Sequence, residues 1–438
     1  MNIDRTRAAV LGLGSSGEAA ARLLHRGGAS VTVFDSGTPA AQKINGLQDL
    51  GISVVVGEAA EIAPADYELT ILSPGIDPVV PLVQNFRRQG SVFVGELELA
   101  FRFCQRPVIA ITGTNGKTTT TQLIESMLNA AGHRTVACGN IGMPFAEAVL
   151  RQAEFDFFTV EVSSFQLETI STFRPEIAVW LNLTPDHLDR YPNMEEYRAA
   201  KLRIFENQKP SDHAVVNYSD DLPEIAASKM TFSAYAQGAD FILHGDAICF
   251  RGEPILEMNE THLSGIHNTE NLMAALGVAQ IIKIPWEKAK VGLTNYRLLP
   301  HRCEKVGEID GVLFINDSKA TNLDALVKAL ESQPRGVVLI AGGKDKGFEF
   351  DAIAGLVHAK VKHAILIGEM ADRIFQSWSK VVPCSIAKTL PAAVEQSRRH
   401  SVPGDVVLFS PGTSSFDMFK NYADRGNQFR EIIQESAR

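Results

Sequence analysis

Thr112-Gly113-Thr114-Asn115-Gly116-Lys117-Thr118-Thr119 stands between an apolar run, Val108–Ile111, and an amphipathic stretch with Leu123, Ile124, Met127 and Leu128 along one side. Strand, glycine loop and helix in that order aim backbone N–H groups at a phosphate. Lys117 would reach the β- and γ-phosphates, and the Thr118 hydroxyl a Mg²⁺ ion. Gly113, Thr114, Asn115, Gly116 and Thr119 complete the cradle. The general phosphate loop has a glycine five residues before Gly116; Ile111 stands there, so this is a shortened variant. A purely structural Gly-Lys-Thr turn is the competing reading.

Three further side chains suit phosphate chemistry. Glu161 ends the apolar run Phe157–Val162, and a carboxylate at a strand's carboxyl end in such a sheet can hold Mg²⁺; a solvated strand end is the alternative. His187 follows the next apolar run, Ile177–Leu183, as a metal ligand, an acid/base or a structural histidine. Lys201 falls inside the apolar stripe Tyr197, Ala200, Ile204, Phe205 of a helical stretch. It either snorkels to water or is held in a site with its charge lowered or removed by modification.

A second glycine loop, Gly12-Leu13-Gly14-Ser15-Ser16-Gly17, lies between a strand run and a helix run, with Asp35 ending the next strand. It meets the context of a dinucleotide fingerprint without fixing the ligand; a tight turn alone would also explain it. Ser73-Pro74-Gly75 would lie at the same sheet edge, as a ligand contact or a turn. Near the C-terminus, three loops end apolar runs: Asn316–Asn322, Ala341–Gly347 and Ser410–Phe416. An N-cap explains Asp317 or Ser318 alone, but not Lys319 beside them. Lys344 and Lys346 are carboxylate or phosphate contacts, or solvated loop lysines.

These loops need parallel sheets to hold them. Short β-rich runs alternate with helical stretches along nearly the whole chain, the signature of an α/β fold with crossover helices. The 438 residues suit about three domains of roughly 150 residues. Breaks near Cys104–Pro107 and Leu298–Arg302 give 1–104, 105–299 and 300–438. Between Lys229 and Glu257, short runs with Gly, Asp and Pro suggest a small antiparallel sheet. A helix is expected over Asn268–Ile282. Net charge is −9, from 42 basic and 51 acidic residues, and no basic tract is present, which argues against duplex nucleic acid. Five scattered cysteines contain no Cys-x-x-Cys pair, so neither a disulfide framework nor a zinc ribbon is implied. No run is long and apolar enough to span a bilayer, and no export signal is visible. A cytoplasmic protein without membrane insertion is expected.

Taken in order, the motifs resemble the Mur ligases. The likeness runs from the first glycine loop through the shortened phosphate loop, Glu161-Val-Ser-Ser-Phe-Gln-Leu-Glu168, Leu181-Asn-Leu-Thr-Pro-Asp-His-Leu-Asp-Arg-Tyr191 and Tyr197-Arg-Ala-Ala-Lys201. It continues through Gly265-Ile-His-Asn268-x-x-Asn271, Pro300-His-Arg302 and Asn316–Asn322, covering essentially the whole chain. The resemblance implies a Rossmann-like N-terminal domain for UDP, a central P-loop ATPase-type domain and a Rossmann-like C-terminal domain. It implies an ATP-dependent, amide-forming ligase that adds D-glutamate to UDP-N-acetylmuramoyl-L-alanine through an acyl phosphate, in peptidoglycan precursor synthesis. Gly14, Ser15, Ser16, Asp35 and Ser73 would lie near UDP; Asn140 and His187 near the UDP-sugar substrate and metal, with Ser163 and Gln166 near the muramoyl-peptide. Asn268 and Asn271 would approach adenine or ribose, and Arg302 and Asp317 the nucleotide phosphate and ribose. Thr118 and Glu161 would serve a first Mg²⁺; His187 and a carbamylated Lys201 a second. Lys319, Thr321, Lys346, Ser415 and Tyr422 would meet D-glutamate. Closure of the C-terminal domain would assemble the site, and a monomer is expected.

No Asp-Asn-Pro-Arg occurs, the mark of the diaminopimelate-adding relative. Folylpolyglutamate synthases share the phosphate loop but lack such an N-terminal domain. Two readings from other classes compete. An NAD-dependent dehydrogenase leaves the Gly-Lys-Thr loop unexplained. A P-loop switch protein leaves Lys201 and the C-terminal loops without a role.

Overall fold

The computed structural model describes residues 3–74, 76, 79–188, 190–297, 299–333, 336–345 and 347–436. Among them the strands form three sheets. The first holds β1 (Arg7–Leu11), β2 (Ser30–Asp35), β3 (Ser53–Val56), β4 (Leu69–Leu72) and β5 (Phe93–Gly95), all parallel, in the order β3-β2-β1-β4-β5. Strand order reverses between β1 and β4. Loops at such a switch point diverge and leave a crevice, and here they are the first glycine loop and the segment beginning at Ser73.

The central sheet holds β6 (Val108–Thr112), β7 (Thr135–Gly139), β8 (Phe157–Glu161), β9 (Ile177–Trp180), β10 (His213–Asn217), β11 (Ser228–Ser233), β12 (Phe241–His244), β13 (Ala247–Phe250) and β14 (Glu253–Glu257). Their order is β14-β13-β12-β11-β10-β9-β6-β8-β7. The interior strand β6 is buried along its whole length, which is why it reads as an unbroken apolar run rather than an alternating one. Its neighbours β8 and β9 run parallel to it. The loops after β6, β8 and β9 therefore emerge side by side.

The expected small antiparallel sheet is present as the edge of this central sheet. β13 is antiparallel to both β12 and β14, but β11 runs parallel to both β10 and β12. Asp240 fixes that return: its carboxylate accepts from the Thr231 N–H and hydroxyl, and Thr231 Oγ1 accepts from the Asp240 N–H. The expected helix over Asn268–Ile282 begins earlier, as Ile266–Ile282. β7 was not expected, because Ala137, Cys138 and Gly139 are weak strand formers; its pairing with β8 supplies what propensity does not.

The third sheet holds β15 (Glu304–Ile309), β16 (Val312–Asn316), β17 (Val337–Gly342), β18 (Val361–Ile367), β19 (Cys384–Ile386) and β20 (Val406–Phe409), in the order β15-β16-β20-β17-β18-β19. Two apolar clusters flank it, one around Trp378 and Phe350, the other around Phe409 and Phe429. β20 between β16 and β17 brings the loops after all three strands together. Contacts divide the chain into two compact units. One comprises Met1–Asn182, Tyr197–Thr261 and Thr269–Tyr296, and the other Leu183–Glu196, His262–Asn268 and Arg297–Arg438. The first two sheets thus share one unit.

A buried carboxylate joins those two sheets' surroundings. Glu98, on the helix Glu96–Phe103 that follows β5, has no exposed surface. It accepts from the N–H groups of Ser171, Thr172 and Phe173 at 2.9 Å, the Thr172 hydroxyl at 2.7 Å and Arg102 Nε at 2.7 Å. Burial opposes its charge, but these donors outweigh burial and hold the carboxyl below its ordinary value. A lowered folded pKa adds stability above the unfolded value and loses it as pH falls through the folded one. Glu98→Ala strands several buried donors, so we expect a loss of about 2–4 kcal/mol in urea unfolding. Glu98→Gln should lose less and should show a shallower fall in stability on acidification below about pH 5.

Candidate functional site

In the first unit, the phosphate loop leaves β6 and enters the helix Lys117–Ala130 at Gly116. Gly116 has φ +84°, and a Cβ there would lie 2.3 Å from Asn271 Oδ1. Lys117 Nζ donates to the Gly113 and Thr114 carbonyls, each at 2.9 Å. Asn182, just past β9, brackets the loop. It accepts from the Asn115 N–H at 2.9 Å through its side chain, donates to the Asn115 carbonyl at 3.1 Å, and accepts from the Thr114 N–H at 2.9 Å through its own carbonyl. Thr120 Oγ1 donates to Asn271 Oδ1 at 3.1 Å. Asn271, expected near adenine or ribose, therefore stands against the phosphate loop itself.

Thr118 Oγ1 donates to Glu161 Oε2 at 2.7 Å, and Asn140 Nδ2 to Glu161 Oε1 at 2.8 Å. Glu161 is 2% exposed at the end of β8. A hydroxyl and a carboxylate oxygen at the head of a phosphate loop are hard donors, the kind Mg²⁺ takes together with substrate phosphates and water. Among the described residues no three His, Cys, Asp or Glu side chains group to hold a metal alone. Ser163 and Gln166, next along, form a reciprocal cap on the short helix Ser164–Leu167.

Lys201 does not snorkel. It is 1% exposed; its Nζ donates to the Gly113 carbonyl at 2.8 Å and lies 4.8 Å from the centre of the Tyr197 ring. The Tyr197 hydroxyl is 3.2 Å from Thr114 Oγ1. The helix Met194–Leu202 thus presses a lysine and a tyrosine against the phosphate loop.

The first glycine loop caps the helix Ser15–Arg26, with Gly14 at its N-cap. Gly17 is obligatory: a Cβ there would lie 1.8 Å from the Gly12 carbonyl oxygen. Asp35 accepts from the Leu13 N–H at 2.6 Å and the Gly37 N–H at 2.8 Å. Ser73 is buried, and its N–H donates to the Leu11 carbonyl. Ser15 is exposed and Ser16 half-buried on the same rim.

In the second unit, Asp186 is buried beside His187, accepting from the His187 N–H at 2.8 Å and from Asn322 Nδ2 at 2.9 Å. His187 Nε2 is 3.7 Å from Asp186 Oδ2, on a residue with φ +56°. Asn268 Nδ2 donates to the Ser264 carbonyl. Asp317 is buried, accepting from Ser410 Oγ at 2.8 Å and the Cys303 N–H at 3.1 Å. Burial raises its carboxyl to about 6, while Ser410, Cys303 and the charge of Arg302 pull it back. Lys319 Nζ sits 3.8 Å from the centre of the Tyr422 ring. Ser415 is buried and Thr321 half-buried. Lys346 lies outside the described residues.

Three matches with known families cover most of the chain. Residues 6–95 match the Mur ligase MurD-like N-terminal domain, 111–279 the Mur ligase middle domain, and 301–412 the Mur ligase glutamate ligase domain. The UDP-N-acetylmuramoylalanine–D-glutamate ligase of Geotalea uraniireducens is 42% identical over 445 residues, covering 99% of this chain and 98% of that protein. The protein of the same name from Koribacter versatilis is 42% identical over 451 residues, covering 100% and 99%. This chain belongs to the Mur ligase family. Its fold is shared with the UDP-N-acetylmuramate–alanine ligase MurC of Thermotoga maritima (TM-score 0.64, 18% identity, 99% of this chain and 100% of that one). It is shared too with Thermotoga maritima MurF in complex with ADP (TM-score 0.60, 14% identity, 99% and 96%).

Several contacts in this Mur ligase had no role assigned from sequence. Asn182 and Asp186 lie inside the quoted Leu181–Tyr191 motif, and their position after β9 was the available signal. Asn322, Ser410 and Arg425 act through contacts between distant segments, which no local pattern reveals. We expect Gly116→Ala to weaken binding of a non-hydrolysable ATP analogue at least about 30-fold, because a positive-φ alanine would also strike Asn271. Titration calorimetry on the folded variant checks it.

Proposed function

We propose that this Mur ligase adds D-glutamate to UDP-N-acetylmuramoyl-L-alanine at the expense of ATP, in the cytoplasm, as a step of peptidoglycan precursor synthesis. The observation that carries the reading is the phosphate loop with Thr118 and Glu161 joined at its head, in a chain about 40% identical over its full length to ligases of that name. We assign the domains as 1–104 for the UDP-sugar substrate, 105–299 for ATP and 300–438 for the amino acid, and take the enzyme to act as a monomer.

The chain's own residues would work as follows. Backbone N–H groups of Gly113–Thr118 and the Lys117 ammonium bind the ATP phosphates, and Lys117 exchanges its carbonyl partners for phosphate oxygens. Lys117 offsets the repulsion between the L-alanyl carboxylate and the γ-phosphoryl group as they approach. The carboxylate oxygen bonds to phosphorus, ADP leaves, and an acyl phosphate results. The neutral amine of D-glutamate then attacks the acyl carbon and expels inorganic phosphate, losing a proton. Arg302 and Asp317 serve nucleotide phosphate and ribose, and Asn268 and Asn271 the nucleoside side. Gly14, Ser15, Ser16, Asp35 and Ser73 hold UDP; Asn140 lies near the UDP-sugar substrate and metal, and Ser163 and Gln166 hold the muramoyl-peptide. Lys319, Thr321, Lys346, Ser415 and Tyr422 receive D-glutamate.

Thr118 and Glu161 would hold one Mg²⁺; His187 and Lys201, as its carbamate, a second. Bound metal would neutralise phosphate charge. CO₂ adding to the neutral Lys201 amine, after the ammonium has lost its proton and with release of a second, would replace a buried cation with a carboxylate able to take metal, while the remaining N–H could still donate to the Gly113 carbonyl.

The alternatives explain less. A dehydrogenase has no use for a phosphate loop clasped by Asn182, and a switch protein none for a buried Lys201.

The decisive assay is phosphate release from MgATP and UDP-N-acetylmuramoyl-L-alanine with D-glutamate, L-glutamate, L-lysine, meso-diaminopimelate or no amino acid. Turnover with D-glutamate alone is expected. Turnover with another amino acid moves the specificity, and none at all from protein that binds ATP sinks the ligase reading. Lys201→Ala should lose at least about 100-fold in kcat and regain part of it with millimolar acetate or formate. A variant equally inactive with and without added carboxylate rules out the ligand role.

A further inference from the structure

The first glycine loop is assigned to UDP, yet Gly14, Ser15, Ser16, Asp35 and Ser73 include one anion and no cation. The N-terminal end of the helix Ser15–Arg26 favours a phosphate, but a diphosphate there still meets the Asp35 carboxylate at the same rim. Residues 1–104 contain one lysine, Lys43, and most of their arginines stand elsewhere. Arg5 and Arg7 lie at the amino end of β1, across the sheet from the loop, and Arg7 pairs with Asp66 at 3.0 Å. Arg26, Arg87 and Arg88 occupy the last turns of helices that run back towards that far edge. Arg102 is bound to Glu98. Arg22 and Lys43 remain.

Both meet Glu18, whose N–H donates to the Gly14 carbonyl at 3.0 Å in the first turn after the loop. Arg22 grips Glu18 Oε1 with Nη2 at 3.0 Å and Nε at 3.3 Å, and a Cβ on Gly46 would lie 3.6 Å from its Nη2. Lys43 Nζ stands 3.5 Å from the other oxygen, Oε2, on a side chain 35% exposed. One acid thus faces two cations, and Arg22 alone neutralises it. A half-exposed pair such as Lys43 with Glu18 contributes little, so Lys43 can leave without stranding the acid. Lys43 also lies in the first turn of the helix Ala41–Gln48, which follows β2, and no acid shares that turn. A cation in a helix's first turn opposes the helix dipole, so the helix itself gives no reason for it.

We propose that Lys43 is the cation of the UDP subsite: its ammonium leaves Glu18 and binds the diphosphate seated at the N-terminal end of the helix Ser15–Arg26. The proposal rests on the assignment of the first glycine loop to UDP. Glu18 holds the lysine beside the loop while the subsite is empty, and the diphosphate, with the greater charge, takes it when bound. A flexible stem with three rotatable donors suits this exchange of partners. The contact is charge-assisted and partly exposed to solvent, so it strengthens binding and weakens as salt rises.

The test is titration calorimetry of UDP into the full-length protein, as wild type, Lys43→Gln, Lys43→Arg and Glu18→Gln, at low and high salt. Lys43→Gln should weaken UDP binding about tenfold at about 20 mM salt and only about threefold at about 300 mM. Lys43→Arg keeps the charge and should stay within about threefold of wild type at both. Glu18→Gln removes the competing acid and should bind UDP about twofold more tightly. In turnover, Lys43→Gln should raise KM for the UDP-sugar about tenfold and leave KM for ATP and D-glutamate within about twofold. An unchanged UDP affinity in Lys43→Gln overturns the proposal, and so does a loss that salt does not reduce. Wild type that binds no UDP overturns the glycine-loop assignment and this proposal with it. Wild type that binds UDP without turning over D-glutamate moves the function reading alone, and the calorimetric comparison still decides Lys43.

Discussion

A phosphate loop must keep several backbone N–H groups converged on one point before any phosphate arrives. Those groups repel one another electrostatically, and a glycine-rich segment has much conformational freedom to lose. The surrounding contacts supply the restraint. Asn182 clasps Asn115 and Thr114 from the neighbouring strand end, Lys117 folds onto the loop carbonyls, and Lys201 holds the Gly113 carbonyl from the far side. Asn271 closes the space beside Gly116. The parallel order of β8, β6 and β9 makes all of this reachable, because it places three strand ends next to one another.

The same logic recurs in the other two sheets with different chemistry. In the first, Asp35 accepts from Leu13 and Gly37, so an acid at the end of β2 holds the glycine loop that follows β1. In the third, Arg425 gathers the loops after β16 and β20. Each sheet reverses strand order where its polar loops emerge, and each binds those loops with a side chain that is charged or strongly polar. Charge is placed under the loops, where neighbouring donors or acceptors satisfy it. Glu98 and Asp317 show how finely the balance is set. Several donors keep the buried Glu98 carboxyl below its ordinary value, whereas fewer leave the buried Asp317 raised to about 6.

The fold class, the three α/β sheets and the phosphate loop were legible in the sequence because each rests on local pattern. Apolar runs mark strands buried on both faces, and glycines mark the turns after them. Lys201 was legible too, since its helical phase set a cation on an apolar face, and the structure buries it there. What was not legible has a common cause. The strands Phe241–Glu257 were legible as a small antiparallel sheet, but not their continuation from β11 into the central sheet, because local sequence shows antiparallel turns and not the partner at the edge. β7 looks like a connection because its residues favour no strand. The contact of Asn271 with Gly116 and Thr120 was not legible for the same reason, since it depends on how the helix Ile266–Ile282 lies against the central sheet.

By itself, the sequence determined which residues are able to do chemistry and in what order they occur, because residue type and spacing follow from the covalent chain. Tertiary structure alone decided which of them meet. Thr118 and Glu161 are 43 residues apart and share a 2.7 Å hydrogen bond; Asp186 and Asn322 are 136 apart and share one of 2.9 Å. Arg425 reaches Ser318 across 107 residues. Such pairs are set by strand order and by the burial of the segments between them, which are properties of the packed whole and leave no periodic trace in any single stretch of chain.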